Sequence, residues 1–120
     1  MPETFNELAD WKEWSLSFND FDPSKEKSRE SLLAVGNGYL GVRGAMEESC
    51  AGDIHYPGIY VAGLYNRLVS KVAGRDIENE DFVNCPNFLN MQFRVNGDDW
   101  FSITADNLVS VSRELDFKSG

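Results

Sequence analysis

The sequence has few residues from which a metal centre or a disulfide framework could be built. It contains one histidine and two cysteines in 120 residues. Cys50 and Cys85 lie far apart with no second pair, which excludes zinc-ligand spacing and favours reduced thiols. His55 alone excludes a multi-histidine metal site, and we expect it to be a surface or hydrogen-bonded residue rather than a catalyst. No metal ion or cofactor is expected.

Positive charge is also scarce. Eleven Lys and Arg face twenty Asp and Glu, for a formal net charge of −9, which is the wrong sign for a groove that follows a phosphate backbone. No apolar run reaches the roughly 20 residues that a membrane helix needs, and the opening residues PETFNELADWK do not resemble a signal peptide. We therefore expect no nucleic-acid partner, no membrane span and a cytoplasmic location.

Apolar residues make up 42% of the chain and aromatic residues 12%. A chain of this size buries about two-thirds of its extended surface when it folds. The composition therefore predicts one folded unit over residues 1–120.

Short alternating segments predict β-strands. Trp14, Leu16 and Phe18 alternate with polar residues, which is typical of a half-buried strand. Residues 39–42 and the apolar run 59–65 predict further strands, and residues 108–115 alternate again before a turn over 116–120.

Asn96-Gly97 between residues 88–95 and 100–103 gives the strongest hairpin signal of the sequence. Residues 71–81 carry the weakest pattern and predict an exposed excursion, whose conformation the pattern does not specify. Several short strands spaced by turn signals, with at most one short helix, favour an antiparallel all-β sandwich over a βαβ architecture.

Helix signals are few. Thr4 and Glu7 form a capping-box pattern that predicts a short amino-terminal helix. Residues 19–29 are polar, contain Asp22-Pro23 and predict a loop. Residues 30–35 fit either a short strand or one helical turn, and the glycines that follow would end both.

Gly36, Gly38 and Gly41 match the dinucleotide-binding pattern G-x-G-x-x-G. That pattern requires a helix directly afterwards, and Gly44 interrupts the segment where this helix would lie. Arg43 stands where a phosphate-binding loop needs Ser or Thr. We therefore interpret the glycines as a tight β-turn with close backbone packing.

The acidic groups do not predict a catalytic pair. Asp76, Glu78 and Glu80 alternate like the start of a calcium loop, but the residues that should follow are wrong, so a solvated acidic loop is favoured. The doublets Glu47-Glu48 and Asp98-Asp99 would each point to opposite faces of a strand. For Arg43 we expect a structural ion pair with Glu47 or Glu48.

Several longer segments together carry a family resemblance. Residues 30–48 read ESLLAVGNGYLGVRGAMEE, residues 56–66 read YPGIYVAGLYN, and residues 84–87 read NCPN. An early W-x-L-x-F strand with Phe21-Asp22-Pro23 and the closing RELDFKSG lie in the matching order. Over nearly its whole length the chain resembles the amino-terminal domain of glycoside hydrolase family 65, which contains disaccharide phosphorylases and some hydrolases.

The resemblance implies part of a β-sandwich of the galactose-mutarotase type, which precedes an (α/α)6 catalytic barrel. It places the catalytic glutamate and the phosphate-holding residues on that barrel, so no catalytic residue is assigned to this chain. Disaccharide and inorganic phosphate would bind only to the complete parent enzyme. The sequence does not decide whether that enzyme is a dimer, which linkage it cleaves, or whether phosphate or water is the acceptor. The positions that match the family pattern are expected to be architectural: Glu30, Gly36, Asn37, Gly38, Tyr39, Gly41, Arg43, Gly44, Pro57, Gly58, Tyr60, Gly63, Tyr65 and Asn66.

Two other classes stay open. The first is a stand-alone carbohydrate-binding β-sandwich whose stacking platform would be supplied by one of the aromatic residues Trp11, Trp14, Tyr39, Tyr65 and Trp100. The second is a small adaptor that uses an exposed sheet edge.

Overall fold

The computed structural model describes residues 10–12 and 14–119. Within them lie β1 (Asp10–Lys12), β2 (Ser15–Phe18), α1 (Glu26–Leu32), β3 (Val35–Gly36), β4 (Leu40–Val42), β5 (Ile59–Val61), β6 (Tyr65–Val72), β7 (Arg75–Phe82) and β8 (Arg113–Asp116). The strands pair antiparallel in the orders β1-β2-β8, β3-β4-β5 and β6-β7. The all-β prediction is confirmed, with one short helix. The predicted helix at Thr4–Glu7 lies outside the described residues.

Strand β2 holds the centre of the core. Leu16, Phe18 and Leu33 form the buried apolar cluster, and the partly buried Leu32 and Leu115 pack against it. The strand prediction for this segment is confirmed, but the half-buried interpretation is wrong, because all four residues of β2 are buried. Alternation identifies the apolar face of a strand, whereas burial of the serine face depends on neighbours that are distant in sequence.

Helix α1 corrects the loop that was predicted for residues 19–29. The Asp22-Pro23 turn is present, with Lys25 N–H donating to Asp22 O at 2.9 Å, but it leads directly into the helix. The buried residues of α1 are Glu26, Arg29 and Glu30. They have the i, i+3, i+4 spacing of an inward helix face, but because they are charged, a search for apolar periodicity misses them.

The glycine segment forms the β3–β4 hairpin, which confirms the tight-turn interpretation. Gly38 has φ +87°, a conformation that glycine adopts without steric cost. The side-chain oxygen of Asn37 accepts hydrogen bonds from the backbone N–H groups of Tyr39 and Leu40 at 3.0 and 2.9 Å. Asn37 and Gly38 together therefore close the turn.

Residues 71–81 are exposed as expected, but they lie in a regular hairpin of two eight-residue strands, β6 and β7. Its tip has positive φ at Ala73 and Gly74. Asp76, Glu78 and Glu80 alternate along β7, so the expected acidic loop is an acidic strand.

The hairpin predicted around Asn96-Gly97 is correct only at its turn. Asn96 and Gly97 have φ of 50° and 86°, and the backbone N–H of Phe101 donates to Phe93 O at 2.9 Å. Residues 88–95 and 100–103 contain no regular strand. A two-stranded ladder without a third strand is marginal, and here stacking of the Phe93 and Phe101 rings, with centroids 4.6 Å apart, holds the two arms together.

The predicted strand over residues 108–115 is also shorter than expected, since only β8 is regular. It pairs along β2, with Leu115 opposite Leu16. The turn that follows is confirmed in its described part, where Asp116 Oδ1 accepts hydrogen bonds from the N–H groups of Lys118 and Ser119.

Much of the surface is uncovered. The chain has 8942 Å² of accessible surface, whereas a compact monomer of this mass has about 6,500 Å². Its radius of gyration is 17.1 Å, against about 14 Å for a compact domain of this length. In the described part of the chain, no helix has the length and apolar character needed to cross a membrane.

Candidate functional site

The carboxylate of Glu30 is the centre of the arrangement that joins the family-matching segments. Its side chain has no exposed surface. One oxygen, Oε1, lies 2.8 Å from Nδ1 of His55, and the other accepts a hydrogen bond from Tyr56 N–H at 2.8 Å. Glu30 therefore connects α1 to the segment that leads into β5.

Arg43 completes this cluster directly after β4. Its Nε donates to the backbone oxygen of Tyr56 at 2.7 Å, and its Nη2 donates to the backbone oxygen of Lys27 at 2.7 Å. The guanidinium carbon lies 5.3 Å from the centroid of the Tyr56 ring, and Nη2 lies 3.9 Å from Glu30 Oε2. The planar guanidinium can bind two segments at once, α1 and the residues before β5, because its donors point in fixed, divergent directions.

The predicted ion pair of Arg43 with Glu47 or Glu48 is therefore wrong. Among the described residues, the ion-pair partner of Arg43 is Glu30. The prediction used proximity in sequence, but the buried carboxylate comes from the helix, and neither Glu47 nor Glu48 is buried.

Glycines allow the backbones around this cluster to approach closely. A Cβ on Gly44 would clash with Leu33 Cβ and lie 2.6 Å from Leu33 O, and a Cβ on Gly58 would lie 2.8 Å from Arg43 Cδ. The N–H of Gly44 donates to the backbone oxygen of Glu30 at 2.9 Å. These contacts give Gly44 and Gly58 a packing role next to Glu30 and Arg43.

The sequence-predicted positions fall into three places. Glu30, Arg43, Gly44, Pro57, Gly58 and Tyr60 lie around the buried carboxylate, whereas Gly36, Asn37, Gly38, Tyr39 and Gly41 form the β3–β4 hairpin. Gly63, Tyr65 and Asn66 lie at the start of the exposed β6–β7 hairpin.

In the β3–β4 hairpin, Gly41 lies opposite Tyr60 in the pairing of β4 with β5. Tyr39 is 81% exposed. Gly63 has φ +79°, and the Tyr65 ring lies 4.8 Å from the Phe82 ring. The architectural roles of all these residues stay predictions.

Two further residues, His55 and Asn84, belong to the cluster around Glu30, and the sequence predicted no such role for either. His55 is hydrogen-bonded to Glu30, which confirms the expectation of a hydrogen-bonded residue. Asn84 joins the segments on the other side, because its Oδ1 accepts from Ile59 N–H at 3.1 Å and its Nδ2 donates to Pro57 O at 3.2 Å. The N-C-P-N sequence was the only signal for Asn84, and nothing local relates His55 to a helix 25 residues earlier.

A second buried cluster of charges lies on the same helix. Glu26 has no exposed side-chain surface and lies 2.8 Å from Nη1 of Arg113 and 3.0 Å from Nη1 of Arg29. Arg29 also donates to both carboxylate oxygens of Asp20, at 2.8 and 2.9 Å. Burial alone would lower the pKa of Arg29, but the hydrogen bonds to Asp20 and Glu26 outweigh it and raise the pKa.

This second cluster ties α1 to β8 and was not predicted, because Glu26 and Arg113 are 87 residues apart. Removing one charge from such a buried pair leaves the other uncompensated, which is costly. The charge pairs of this cluster therefore hold α1 against β8 inside the fold.

Burial raises the pKa of the Tyr60 phenol, with a smaller contribution from Tyr56 in the same direction. Among the described residues, no group of three or more His, Cys, Asp or Glu side chains could hold a metal ion. The geometry suits a structural clamp that fixes strand, helix and loop relative to one another.

Comparison with known protein families identifies one family that matches most of the chain. The profile described as glycosyl hydrolase family 65, N-terminal domain, matches residues 16–120. The chain belongs to this family. Within family 65 the matched region contains every position that was assigned to the motif.

Two curated relatives set the scale of the likeness. An uncharacterised glycosyl hydrolase of Mycobacterium tuberculosis is 46% identical over 105 residues, which are 88% of this chain and 8% of that protein. Trehalose 6-phosphate phosphorylase of Lactococcus lactis is 40% identical over 111 residues, covering 90% of this chain and 14% of that protein. The chain thus spans a small part of the length of these family 65 relatives.

A solved structure supports the fold. A human-microbiome protein provisionally named a kojibiose phosphorylase superposes with a TM-score of 0.72 at 24% identity, covering 94% of this chain and 15% of the other. At this identity the likeness establishes the fold alone.

Proposed function

We propose that this chain is the non-catalytic amino-terminal β-sandwich segment of a family 65 enzyme that cleaves α-linked disaccharides. Its function would be to support the catalytic domain of the same polypeptide. Disaccharide and inorganic phosphate would bind to that catalytic domain, and these 120 residues would have no turnover of their own. Location in the cytoplasm and dimerisation of the parent stay predictions.

The observation that carries this proposal is the uncovered surface. The chain exposes about 2,400 Å² more than a compact monomer of its mass. Areas of this size are typical of permanent interfaces. The large apolar side chains that are exposed include Leu68, Val72, Phe88, Met91 and Val95, and a soluble protein rarely leaves such an area uncovered.

The β6–β7 hairpin indicates which face is covered. Side chains alternate across a strand, and the register places Arg67 opposite Glu80 and Lys71 opposite Asp76 on one face. Arg67 Nη1 also lies 3.5 Å from Glu78 Oε1. Opposite charges in cross-strand pairs suit a face in water.

The other face of the hairpin carries two charged residues, Arg75 and Asp81, among its eight positions. Leu68 and Val72 lie on it together with Ile77, and these side chains are 53%, 53% and 42% exposed. An isolated two-stranded hairpin is marginal in water. This second face therefore supports packing against the rest of a longer polypeptide.

The reaction of the parent enzyme is proposed to be phosphorolysis, because a relative 40% identical is named trehalose 6-phosphate phosphorylase. In this reaction phosphate attacks the anomeric carbon with inversion, while an acid on the catalytic domain protonates the departing sugar. The bond between the anomeric carbon and the bridging oxygen breaks, and an α-linked substrate yields a β-glucosyl phosphate.

Matched substitutions test the scaffold role in the extended polypeptide, which is the longer chain that includes the catalytic domain. Leu68→Arg places a charge next to Val72 and Ile77 on the less charged hairpin face, and Val69→Arg places the same charge on the opposite face of the same strand. We expect Leu68→Arg to lower the melting temperature of the extended polypeptide and Val69→Arg to leave it nearly unchanged. Equal melting temperatures for the two variants would contradict the packing of this face.

Turnover separates the scaffold role from an independent enzyme. With phosphate and maltose, trehalose or kojibiose, the extended polypeptide should release glucose 1-phosphate and the 120-residue chain should not. Release of free glucose without glucose 1-phosphate would identify a hydrolase, and turnover by the 120 residues alone would refute the non-catalytic role.

A further inference from the structure

A cleft of about 430 Å³ lies next to the buried Glu30 cluster. One wall is formed by residues 48–50 and 52–55, and the other by Gln92 and residues 100–104. Its volume is within the range of small-molecule sites, about 300 to 1,000 Å³. None of the assigned motif residues lines it.

Both walls are held in place by hydrogen bonds. The N–H of Met91 donates to Glu47 O at 3.0 Å, and Asn90 Nδ2 donates to the same oxygen at 2.9 Å. On the other wall, Asn107 accepts from Thr104 N–H and donates to Ser102 O. The cleft is therefore built before a ligand arrives, which lowers the entropic cost of binding.

An aromatic ring and an oriented histidine face the cleft from opposite walls. Trp100 lines it and is 55% exposed, which gives a ligand ring surface to contact, and Arg94 lies 4.9 Å from the indole centroid. His55 also lines the cleft. Because Glu30 occupies its Nδ1, the imidazole nitrogen available to a ligand is Nε2.

The charges of the lining select the class of ligand. Glu48 and Asp53 line the cleft, and none of its described lining residues is Lys or Arg, which disfavours phosphate and other anions. Carboxylate and amide oxygens accept hydrogen bonds from hydroxyl groups, and an indole face contacts apolar C–H surface. A sugar ring presents both features: an apolar face and a rim of hydroxyl groups.

We propose that this cleft binds a neutral saccharide, with one ring stacked on Trp100 and its hydroxyl groups bonded to Asp53, Gln92 and Nε2 of His55. This site is independent of the proposed scaffold role, because it needs no other domain. The Nε2 of Gln92 donates to Cys50 Sγ at 2.9 Å, which leaves its oxygen to accept from the sugar.

Titration of the 120-residue chain with maltose tests the site. We expect shifts of the backbone amide resonances in residues 48–55 and 100–104, with a dissociation constant in the millimolar range, about 1 to 10 mM. Inorganic phosphate serves as the anionic probe and should give no such shifts. If the chain self-associates, quenching of indole fluorescence by maltose gives the same reading.

Trp100→Ala should weaken maltose binding at least about tenfold, which is a loss that a binding isotherm resolves. Tyr39→Ala is the matched control, because Tyr39 is 81% exposed and lies outside the cleft lining. Asp53→Asn removes a charge at an exposed position and should also weaken maltose binding. This variant tests the proposal if Trp100→Ala does not fold. Absence of maltose-induced shifts, shifts centred on Tyr39, or binding of phosphate in place of maltose would each overturn the proposal.

Discussion

Oε1 of Glu30 lies 2.8 Å from Nδ1 of His55, and no part of the Glu30 side chain reaches solvent. The second oxygen of the same carboxylate accepts the N–H of Tyr56. Both oxygens therefore hold one short segment against the helix, and the stability of the fold should depend on this carboxylate.

Glu30→Gln should lower the free energy of unfolding by about 1 to 3 kcal/mol, because an amide keeps one acceptor oxygen where two are used and leaves a buried partner unsatisfied. Urea unfolding measures the change. Glu78→Gln is the matched control: its ion pair with Arg67 is exposed, and such pairs contribute about 0 to 1 kcal/mol. If both variants lose the same stability, the buried carboxylate has no special role.

Gly44→Ala should destabilise the fold by about 1 to 3 kcal/mol, the usual cost of overpacking. The added Cβ would lie 2.6 Å from the backbone oxygen of Leu33, and backbone cannot rotate away as a side chain can. Gly41→Ala provides the comparison, since a Cβ there meets nothing within 4 Å, and we expect a change within about 0.5 kcal/mol. Thermal unfolding of the pair measures this difference, and equal melting temperatures would refute the packing role of Gly44.

The turn before α1 predicts a response to acid. A hydrogen bond from the Ser24 hydroxyl to Asp22, 2.6 Å long, lowers the pKa of the Asp22 carboxyl, and the N–H of Ser24 adds to the effect. Because the folded pKa lies below the unfolded one, the stabilisation is complete above the unfolded value of about 3.9 and is lost as pH falls through the folded value.

Ser24→Ala should therefore raise the pKa of Asp22 towards its ordinary value and reduce the loss of stability on acidification. Carboxyl ¹³C titration by NMR measures the pKa. Ser31→Ala is the control, since the Ser31 hydroxyl donates to the backbone oxygen of Lys27 instead. A pKa of Asp22 that is unchanged in Ser24→Ala would contradict the assigned cause.

Local chemistry explains which parts of the fold were predictable. The glycine turn needs only the backbone freedom of Gly38 and the short side chain of Asn37, and both effects act within four residues. The turn at Asn96-Gly97 was predicted for the same reason. The strands predicted on either side of this turn are wrong, because a regular ladder also needs neighbouring strands that the local pattern does not specify.

The helix shows where local patterns fail. Glu26, Arg29 and Glu30 bury a charged face, and such a face is stable only when distant partners compensate it. Arg113 supplies that compensation to Glu26 and Arg43 supplies it to Glu30, each from another part of the chain. Neither pairing has a periodicity that could be read from the sequence.

The sequence by itself determined the all-β class, the position of the tight turns and the family, because turn chemistry, strand alternation and extended motifs are carried by neighbouring residues. The tertiary structure alone decided which carboxylates are buried, which cations compensate them, and that Trp100 and His55 face one cleft. These relationships join residues far apart in the chain, and the free energy of a buried charge depends on what surrounds it in space rather than on what precedes it in sequence.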